Sequence, residues 1–537
     1  MRVTIVGGGL AGSEAAWQAA SHGLPVMVYE MRPVRPTAVH RTEHLAELVC
    51  SNSFRGDKLD NAVGLLKEEM RRLGSIVIRA AEASRVPAGA ALAVDREQFA
   101  ATITRALMDH PLVTIVRDEI TSIPVSSDED PVIVATGPLT SDALSADLAR
   151  LVGSDHLYFY DAISPIVLAE TIDRSKVFRA SRWGRSLRSS FDPSRASGSS
   201  RAESRDDRLR TSGGANVVRA SSEVSRGEPV EPRAPACGVD DGAGDYLNCP
   251  LTREEYDRFY GALVTAESAT VHDFDTERFF EGCLPIEVMA HRGRETLRFG
   301  PMKPVGLVDP RTGREPYAAV QLRQDNLAGD HFSLVGFQTQ IKWGDQARVL
   351  RLIPGLEQAE FVRFGMVHRN TYVNGPTVLA ETWQVRAQPS LFFAGQMSGV
   401  EGYVESAASG LLAGLNAAAL AKGGCASAPP RTTAIGALAF YVSHANPAHY
   451  EPSNITFGIL EPLSGAPRGK KQRNLALSER ALADLEIWMA SRGLVVRPFE
   501  RLSVVPSNVE GRRAHQERIQ SPAHPGPVAL RRDSGRS

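Results

Sequence analysis

Cysteine is scarce in this chain. Five cysteines in 537 residues (Cys50, Cys237, Cys249, Cys283, Cys425) are odd in number and form no C-x-x-C pair. That argues against a disulfide framework and a zinc site, and fits a reduced compartment. Long apolar runs are also missing: none approaches the roughly 20 residues of a membrane span, and the N-terminus enters a strand and a glycine turn where a signal peptide would have its apolar core. A cytoplasmic protein, without membrane attachment and without a resident metal, is the expectation. Neither sign of charge is in excess, with 61 Lys and Arg against 62 Asp and Glu. Binding to nucleic acid therefore needs a local basic patch.

What is present begins with residues 2–30. Arg2-Val3-Thr4-Ile5-Val6 is a short β-branched run leading into Gly7-Gly8-Gly9-Leu10-Ala11-Gly12, and a helical pattern starts at Ser13. Gly7, Gly9 and Gly12 take the G-x-G-x-x-G positions: one permits the turn, one lets the backbone approach a pyrophosphate, one lets helix and strand pack closely. The phosphates would sit on the helix N-terminus, where unpaired N–H groups and the dipole favour negative charge. A second strand, Pro25 to Tyr29, ends in Glu30, near the spacing expected of the acid that binds ribose hydroxyls. An acid there suits an unphosphorylated ribose, so FAD or NAD fits better than NADP.

Further along, Cys50 is followed by Ser51-Asn52-Ser53-Phe54-Arg55. Its type fits a small core residue; the polar residues after it suit an exposed loop, and Arg55 offers a cation that could lower a thiol pKa. Helices are predicted around 65–73 and 97–109, and a strand from Pro131 runs into Ala135-Thr136-Gly137. The tract 184–244 differs from its surroundings. Between Arg182 and Arg233 it has 11 Arg, 7 Asp or Glu and no Lys, with almost no apolar periodicity. It cannot bury enough surface to offset its ordering entropy and is expected to be disordered. Beyond it Cys249 precedes Thr252 and Glu255, a capping-box pair opening a helix over 253–266. A thiol just before a helix N-terminus reads equally as a core residue and as a reactive one. From 279 to 323 basic residues cluster around Arg298-Phe299-Gly300-Pro301-Met302-Lys303, either a solvated face or a phosphate or RNA surface. Finally Leu391-Phe392-Phe393-Ala394-Gly395-Gln396-Met397-Ser398-Gly399-Val400-Glu401-Gly402-Tyr403 repeats strand, glycine turn and helix, as a discontinuous FAD domain requires.

Assembled, these phrases resemble the folate-dependent tRNA (uracil-5-)-methyltransferases of the TrmFO type. Besides both glycine turns, the resemblance rests on Leu48 to Ser53, Tyr246-Leu247-Asn248-Cys249-Pro250, Gly300 to Leu307, Gly336 to Gln340, and His368-Arg369-Asn370-Thr371-Tyr372. It implies FAD as cofactor, NADPH or NADH as reductant, 5,10-methylenetetrahydrofolate as one-carbon donor, and 5-methyluridine at position 54 of the tRNA T loop as product. It implies no stable protein partner. By resemblance Cys249 is expected as the thiolate nucleophile and Cys50 as the proton-handling partner, with the roles open to exchange. Cofactor contacts are expected from Gly7, Gly8, Gly9, Leu10, Ala11, Gly12, Glu30, Thr136, Gly137, Gly395, Gln396, Gly399, Glu401, Gly402 and Tyr403. Substrate contacts are expected from Arg298, Lys303, His368, Arg369 and Tyr372.

The expected fold is α/β. A discontinuous Rossmann-like FAD-binding domain (1–165 and 331–430) would carry an inserted α+β tRNA and folate domain (166–330), a C-terminal helical segment (431–490) and a disordered tail (498–537). The alternatives are an FAD-dependent enzyme that modifies wobble uridines in tRNA, and a tRNA-binding flavoprotein whose catalysis the 184–244 tract has abolished.

Overall fold

The computed structural model describes residues 1–37, 39–153, 157–184, 244–268 and 284–494, with backbone only for 157–162 and 367–371. The Arg-rich tract, apart from its flanking Gly184 and Gly244, and the tail lie outside the described residues.

Two six-stranded sheets organise the chain. In the first the order is Gln384–Val385, Gln388–Phe393, Val132–Val134, Val3–Val6, Val26–Glu30, Val113–Arg117. All neighbours pair in parallel except the first two. Val3–Val6 and Val132–Val134 are buried throughout, which is why they read as continuous apolar runs with no alternation. The late strand Gln388–Phe393 lies directly beside Val132–Val134, so the first domain is built from both ends of the chain.

The second sheet is antiparallel, in the order Phe178–Ala180, Tyr246–Leu251, Ala318–Gln324, His331–Leu334, Ile166–Leu168, Phe361–Arg363. A boundary at 330 would separate two hydrogen-bonded strands, so the inserted domain runs on past Arg363. Leu327-Ala328-Gly329-Asp330 marks a hairpin turn, and a hairpin and a domain change give the same local glycine signal. The helix Arg253–Val264 covers this sheet with Tyr256, Phe259 and Leu263, and the capping box of Thr252 and Glu255 forms in full.

In the first domain the helix Leu10–Ser21 is crossed by Tyr403–Ala421. The crossing needs glycine: a Cβ on Gly410 would lie 2.1 Å from the Ala11 carbonyl oxygen, and one on Gly414 2.6 Å from that of Ala15. Tyr403–Ala421 is long and apolar enough to cross a membrane, but 83% of its most apolar window is buried inside the domain. The expected C-terminal helices are present as Ala434–His444 and Lys470–Ser491, and both pack on the first domain. The N-terminus of the former is tied down by Glu69 on the helix Ala62–Arg72, whose two carboxyl oxygens accept from the N–H groups of Ala434 (2.7 Å) and Ile435 (2.8 Å).

Two outcomes follow. Gly410→Ala is expected to destabilise the fold by about 1–3 kcal/mol, the cost of overpacking a tight contact, read as a lower thermal midpoint. Burial pushes the Glu69 carboxyl up from its ordinary value to about 8. Because the folded state holds this proton more tightly, the stabilisation is complete below pH about 4.5 and is lost as pH rises towards 8. Denaturant midpoints should fall between pH 5 and 8.5 by on the order of 1 kcal/mol or more, and Glu69→Gln should flatten that slope.

Candidate active site

The early glycine turn forms one wall of a cleft lined by Gly7, Gly8, Gly9, Glu30, Arg32, His40 and Thr136 among others. The glycines divide the labour. A Cβ on Gly12 would lie 1.8 Å from the Gly7 carbonyl oxygen, and Gly7 (φ +104°) is packed against Ala135 and Thr136. A Cβ on Gly9 would meet no protein atom within 4 Å, so the space above it is left for a ligand. The helix begins there, with Leu10 and Ala11 in its first turn.

Glu30 lies at the cleft but is more heavily used than a ribose acceptor need be. One carboxylate oxygen accepts from the Gly8 N–H (3.0 Å) and the other from the backbone N–H (3.0 Å) and Nε (2.9 Å) of Arg32. Burial raises its pKa, but hydrogen bonds and charge from Arg32 outweigh that and hold the carboxyl below its usual value. Glu30 therefore fixes the glycine turn. His40, missed in the sequence, is pushed down to about 4 by burial and by Arg32. It faces the cleft as a neutral ring at neutral pH.

The late turn meets the early one: a Cβ on Gly395 would come 3.0 Å from that of Ala11. Gly137 and Gly402 also hold positive φ, at +69° and +108°. Gln396 donates to Glu401 (2.7 Å), and Gly399 lies against the Tyr450 hydroxyl, which donates to its carbonyl (3.0 Å). These contacts shape the turn. Tyr403 does something different: its hydroxyl oxygen accepts from the N–H groups of Cys50 (2.8 Å) and Ser51 (3.0 Å), joining the late turn to the thiol loop.

Around that loop are three arginines the sequence did not single out for it. Arg96 donates to the Leu48 carbonyl and pairs with Asp325; Arg363 donates to the Val49 carbonyl; Arg323 donates to Asn52 Oδ1 (2.8 Å) and Ser51 Oγ (2.9 Å). All three interact electrostatically with the Cys50 thiol. Burial pushes Arg323 down, although Asp325 acts against it, and pushes Arg363 to about 10. The half-buried cysteine thus sits among three guanidinium groups. Arg55, the cation expected from the sequence, is committed to Glu405 and Asn454.

Cys249 sits elsewhere. It is 0% exposed in the core of the second domain, and burial pushes its thiol well above the usual range. Side chains alternate along a strand, and Tyr246 pairs with Arg323 while Cys249 pairs with Val320. The Arg323 side chain that reaches Ser51 therefore stands on the opposite face of the sheet from Cys249. Preceding a helix does not expose this thiol, and the two cysteines do not share a site in this arrangement.

Two residues expected at the substrate are engaged inside the protein. Arg298 stacks on Tyr317 (3.7 Å to the ring centroid), donates through Nε to the Tyr317 carbonyl (2.8 Å) and pairs through Nη1 with Glu295. Tyr372 is buried against Tyr450 and offers no open ring face. Lys303 is half-buried. The side chains of His368 and Arg369 lie outside the described residues.

Gly9→Val is expected to leave the fold intact, because a Cβ there meets no protein atom within 4 Å, yet to block a pyrophosphate at the helix N-terminus. A purified variant with wild-type thermal stability in its ligand-free form and no flavin absorbance is the expected result.

The chain matches the model of the family described as GIDA, Glucose inhibited division protein A, over residues 2–205 and 230–425. It is 53% identical over 492 residues to the methylenetetrahydrofolate–tRNA-(uracil-5-)-methyltransferase TrmFO of Desulforudis audaxviator, covering 91% of this chain and 99% of that one. The protein of the same name from Geobacter sulfurreducens is 50% identical, covering 91% of this chain and 99% of that one. Among solved structures, Aquifex aeolicus GidA superposes with a TM-score of 0.60 at 16% identity over 98% of this chain and 79% of that one, a likeness of fold. With the glycine cleft and both family turns in place, the chain belongs to the GidA family and, within it, to the TrmFO group of methylenetetrahydrofolate–tRNA-(uracil-5-)-methyltransferases.

Proposed function

We propose that this chain forms 5-methyluridine in the T loop of tRNA, at position 54, with 5,10-methylenetetrahydrofolate as one-carbon donor and NADPH or NADH as reductant. The observation that carries the chemistry is the half-buried Cys50, set among Arg96, Arg323 and Arg363 on the loop that Tyr403 ties to the late glycine turn. FAD fits the cleft, where Gly7, Gly8, Gly9 and the start of the first helix would hold its pyrophosphate and Glu30 its ribose; bound there it supplies the reducing equivalents that convert a one-carbon bridge into a methyl group.

Uracil C5 is a poor nucleophile until a thiolate adds at C6. Of the two exchangeable assignments, geometry supports Cys50 as the attacking thiol. It is half-buried where Cys249 is enclosed, three guanidinium groups lie around it, and Tyr403 fixes its backbone, whereas Cys249 would have to leave a packed core first. Against the wobble-uridine alternative stands at least 50% identity to relatives named as tRNA-(uracil-5-)-methyltransferases. A tRNA substrate, a folate donor and cysteines suited to a reduced compartment support a cytoplasmic reaction.

A T-arm transcript containing 5-fluorouridine should be trapped as a covalent protein–RNA adduct, seen as a shifted band on a denaturing gel. Cys50→Ala is expected to abolish both adduct and methylation, and Cys249→Ala to retain the adduct. An adduct mapped to Cys249 by peptide mass would reverse the assignment. A wild-type protein that binds FAD and tRNA but neither methylates nor forms the adduct would be a flavoprotein with lost catalysis.

A further inference from the structure

The face of the second sheet that meets the Cys50 loop carries two guanidinium groups in one cross-strand row. Register sets Arg323 opposite Ser333, Ser333 opposite Ile166 and Ile166 opposite Arg363, and residues paired in this way point to the same side. Arg323 is engaged by the loop, donating to Asn52 Oδ1 and Ser51 Oγ, and Arg96 donates to the Leu48 carbonyl and pairs with Asp325. Arg363 differs from both. Its Nη2 donates to the Val49 carbonyl, in the peptide unit that carries the Cys50 nitrogen, while its Nε and Nη1 have no partner among the described residues. No carboxylate among those residues pairs with it, whereas Asp325 acts on Arg96 and on Arg323. Arg363 also interacts electrostatically with Cys50, with Tyr403 at the start of the late helix, and with His40, which lines the glycine cleft. It stands where the cofactor cleft and the thiol meet.

We infer that Arg363 binds the 5′-phosphate of the uridine to be methylated and so presents the C6 edge of its base to Cys50. The inference rests on the tRNA reading and on Cys50 as the attacking thiol, and adds to them the contact that seats the nucleotide. In a pyrimidine nucleotide with its base anti, C6 lies on the edge nearest the nucleotide's own 5′-phosphate. A thiol that adds at C6 therefore works beside that phosphate. Arg363 holds the thiol's peptide unit with one nitrogen and keeps most of its N–H donors for phosphate oxygens, which a guanidinium binds strongly. A half-buried guanidinium without a carboxylate is costly until an anion reaches it, and RNA brings one with every nucleotide. The carboxylates of the folate share that charge, but they lie at the far end of the molecule from its one-carbon unit. The phosphate is attached to the very nucleoside that must touch the thiol.

The test pairs the residue with the phosphate. The FAD-loaded full chain, wild type or Arg363→Met, is titrated by fluorescence anisotropy with a labelled T-arm stem-loop carrying either the natural phosphate or a neutral methylphosphonate on the 5′ side of the target uridine. In wild type the methylphosphonate is expected to weaken binding about tenfold, the scale of a lost hydrogen bond to a charged group, and to lower the salt slope by about 0.7. Arg363→Met should show the same loss with natural RNA and no further loss with the methylphosphonate, whereas a methylphosphonate in the stem should cost both proteins alike. Equal penalties in the two proteins from the 5′ methylphosphonate would overturn the contact and leave the tRNA reading intact. So would the absence of any penalty in wild type, a result that needs no variant to fold. Weaker FAD binding by Arg363→Met, or a raised KM for methylenetetrahydrofolate with RNA binding unchanged, would overturn it in favour of the cofactor or the folate. Failure of the wild-type holoprotein to bind the natural stem-loop at all would overturn the tRNA reading itself.

Discussion

The contact on which this molecule depends is the passage of two helix backbones through each other's side-chain layer, Gly410 and Gly414 against Ala11 and Ala15. Side chains of ordinary size would hold the axes 8–10 Å apart. With hydrogen at these positions the second helix settles onto the first, and the late turn arrives beside the early one. The first helix begins at the cleft, where its unpaired N–H groups and positive dipole end are concentrated. The glycines that appear to serve a ligand thus fall into two kinds. Gly9 leaves room for it, whereas Gly12, Gly410 and Gly414 let the walls come close enough to matter.

A second set of contacts joins that cleft to the thiol. Tyr403 is the first residue of the late helix, and its hydroxyl takes two backbone N–H groups from residues 50 and 51. Arg323, from the second sheet, holds Ser51 and Asn52, while Asn52 donates to the Gln324 carbonyl (3.0 Å). The loop that carries Cys50 is therefore pinned between the two domains. Its position reports their relative placement, and the reactive group is located by backbone hydrogen bonds more than by its own side chain.

The local chemistry of the cleft was legible in the sequence because it is written in consecutive residues. Strand, G-x-G-x-x-G, helix and a terminal acid need no long-range information, and the same holds for the capping box at Thr252 and the late turn. What was not legible depends on partners far along the chain. Arg298 stood in a basic phrase that read as a solvated face or a phosphate surface, and the ring and carbonyl of Tyr317, nineteen residues on, engage it. Cys249 read equally as a core residue and as a reactive one, and strand alternation, fixed by pairing with Ala318–Gln324, turns it into the core. Arg363 and Arg323 carried no motif at all and became visible as neighbours of Cys50 only once the second sheet was assembled. Glu30 was found in the right place with an additional task, because its hydrogen bond to Gly8 spans 22 residues.

The order of strands in the first sheet has a consequence for how the protein is made. Val3–Val6 and Val132–Val134 leave the ribosome early, but the neighbour that covers the far edge of Val132–Val134 is Gln388–Phe393. Until some 250 further residues have been synthesised, that edge presents unpaired N–H and C=O groups, a hazard for aggregation in a nascent chain. The second sheet draws its strands from 166–363 and can close within that interval. The inserted domain is therefore positioned to fold first, acting as a tether that brings the C-terminal strand and helix back to a half-built sheet.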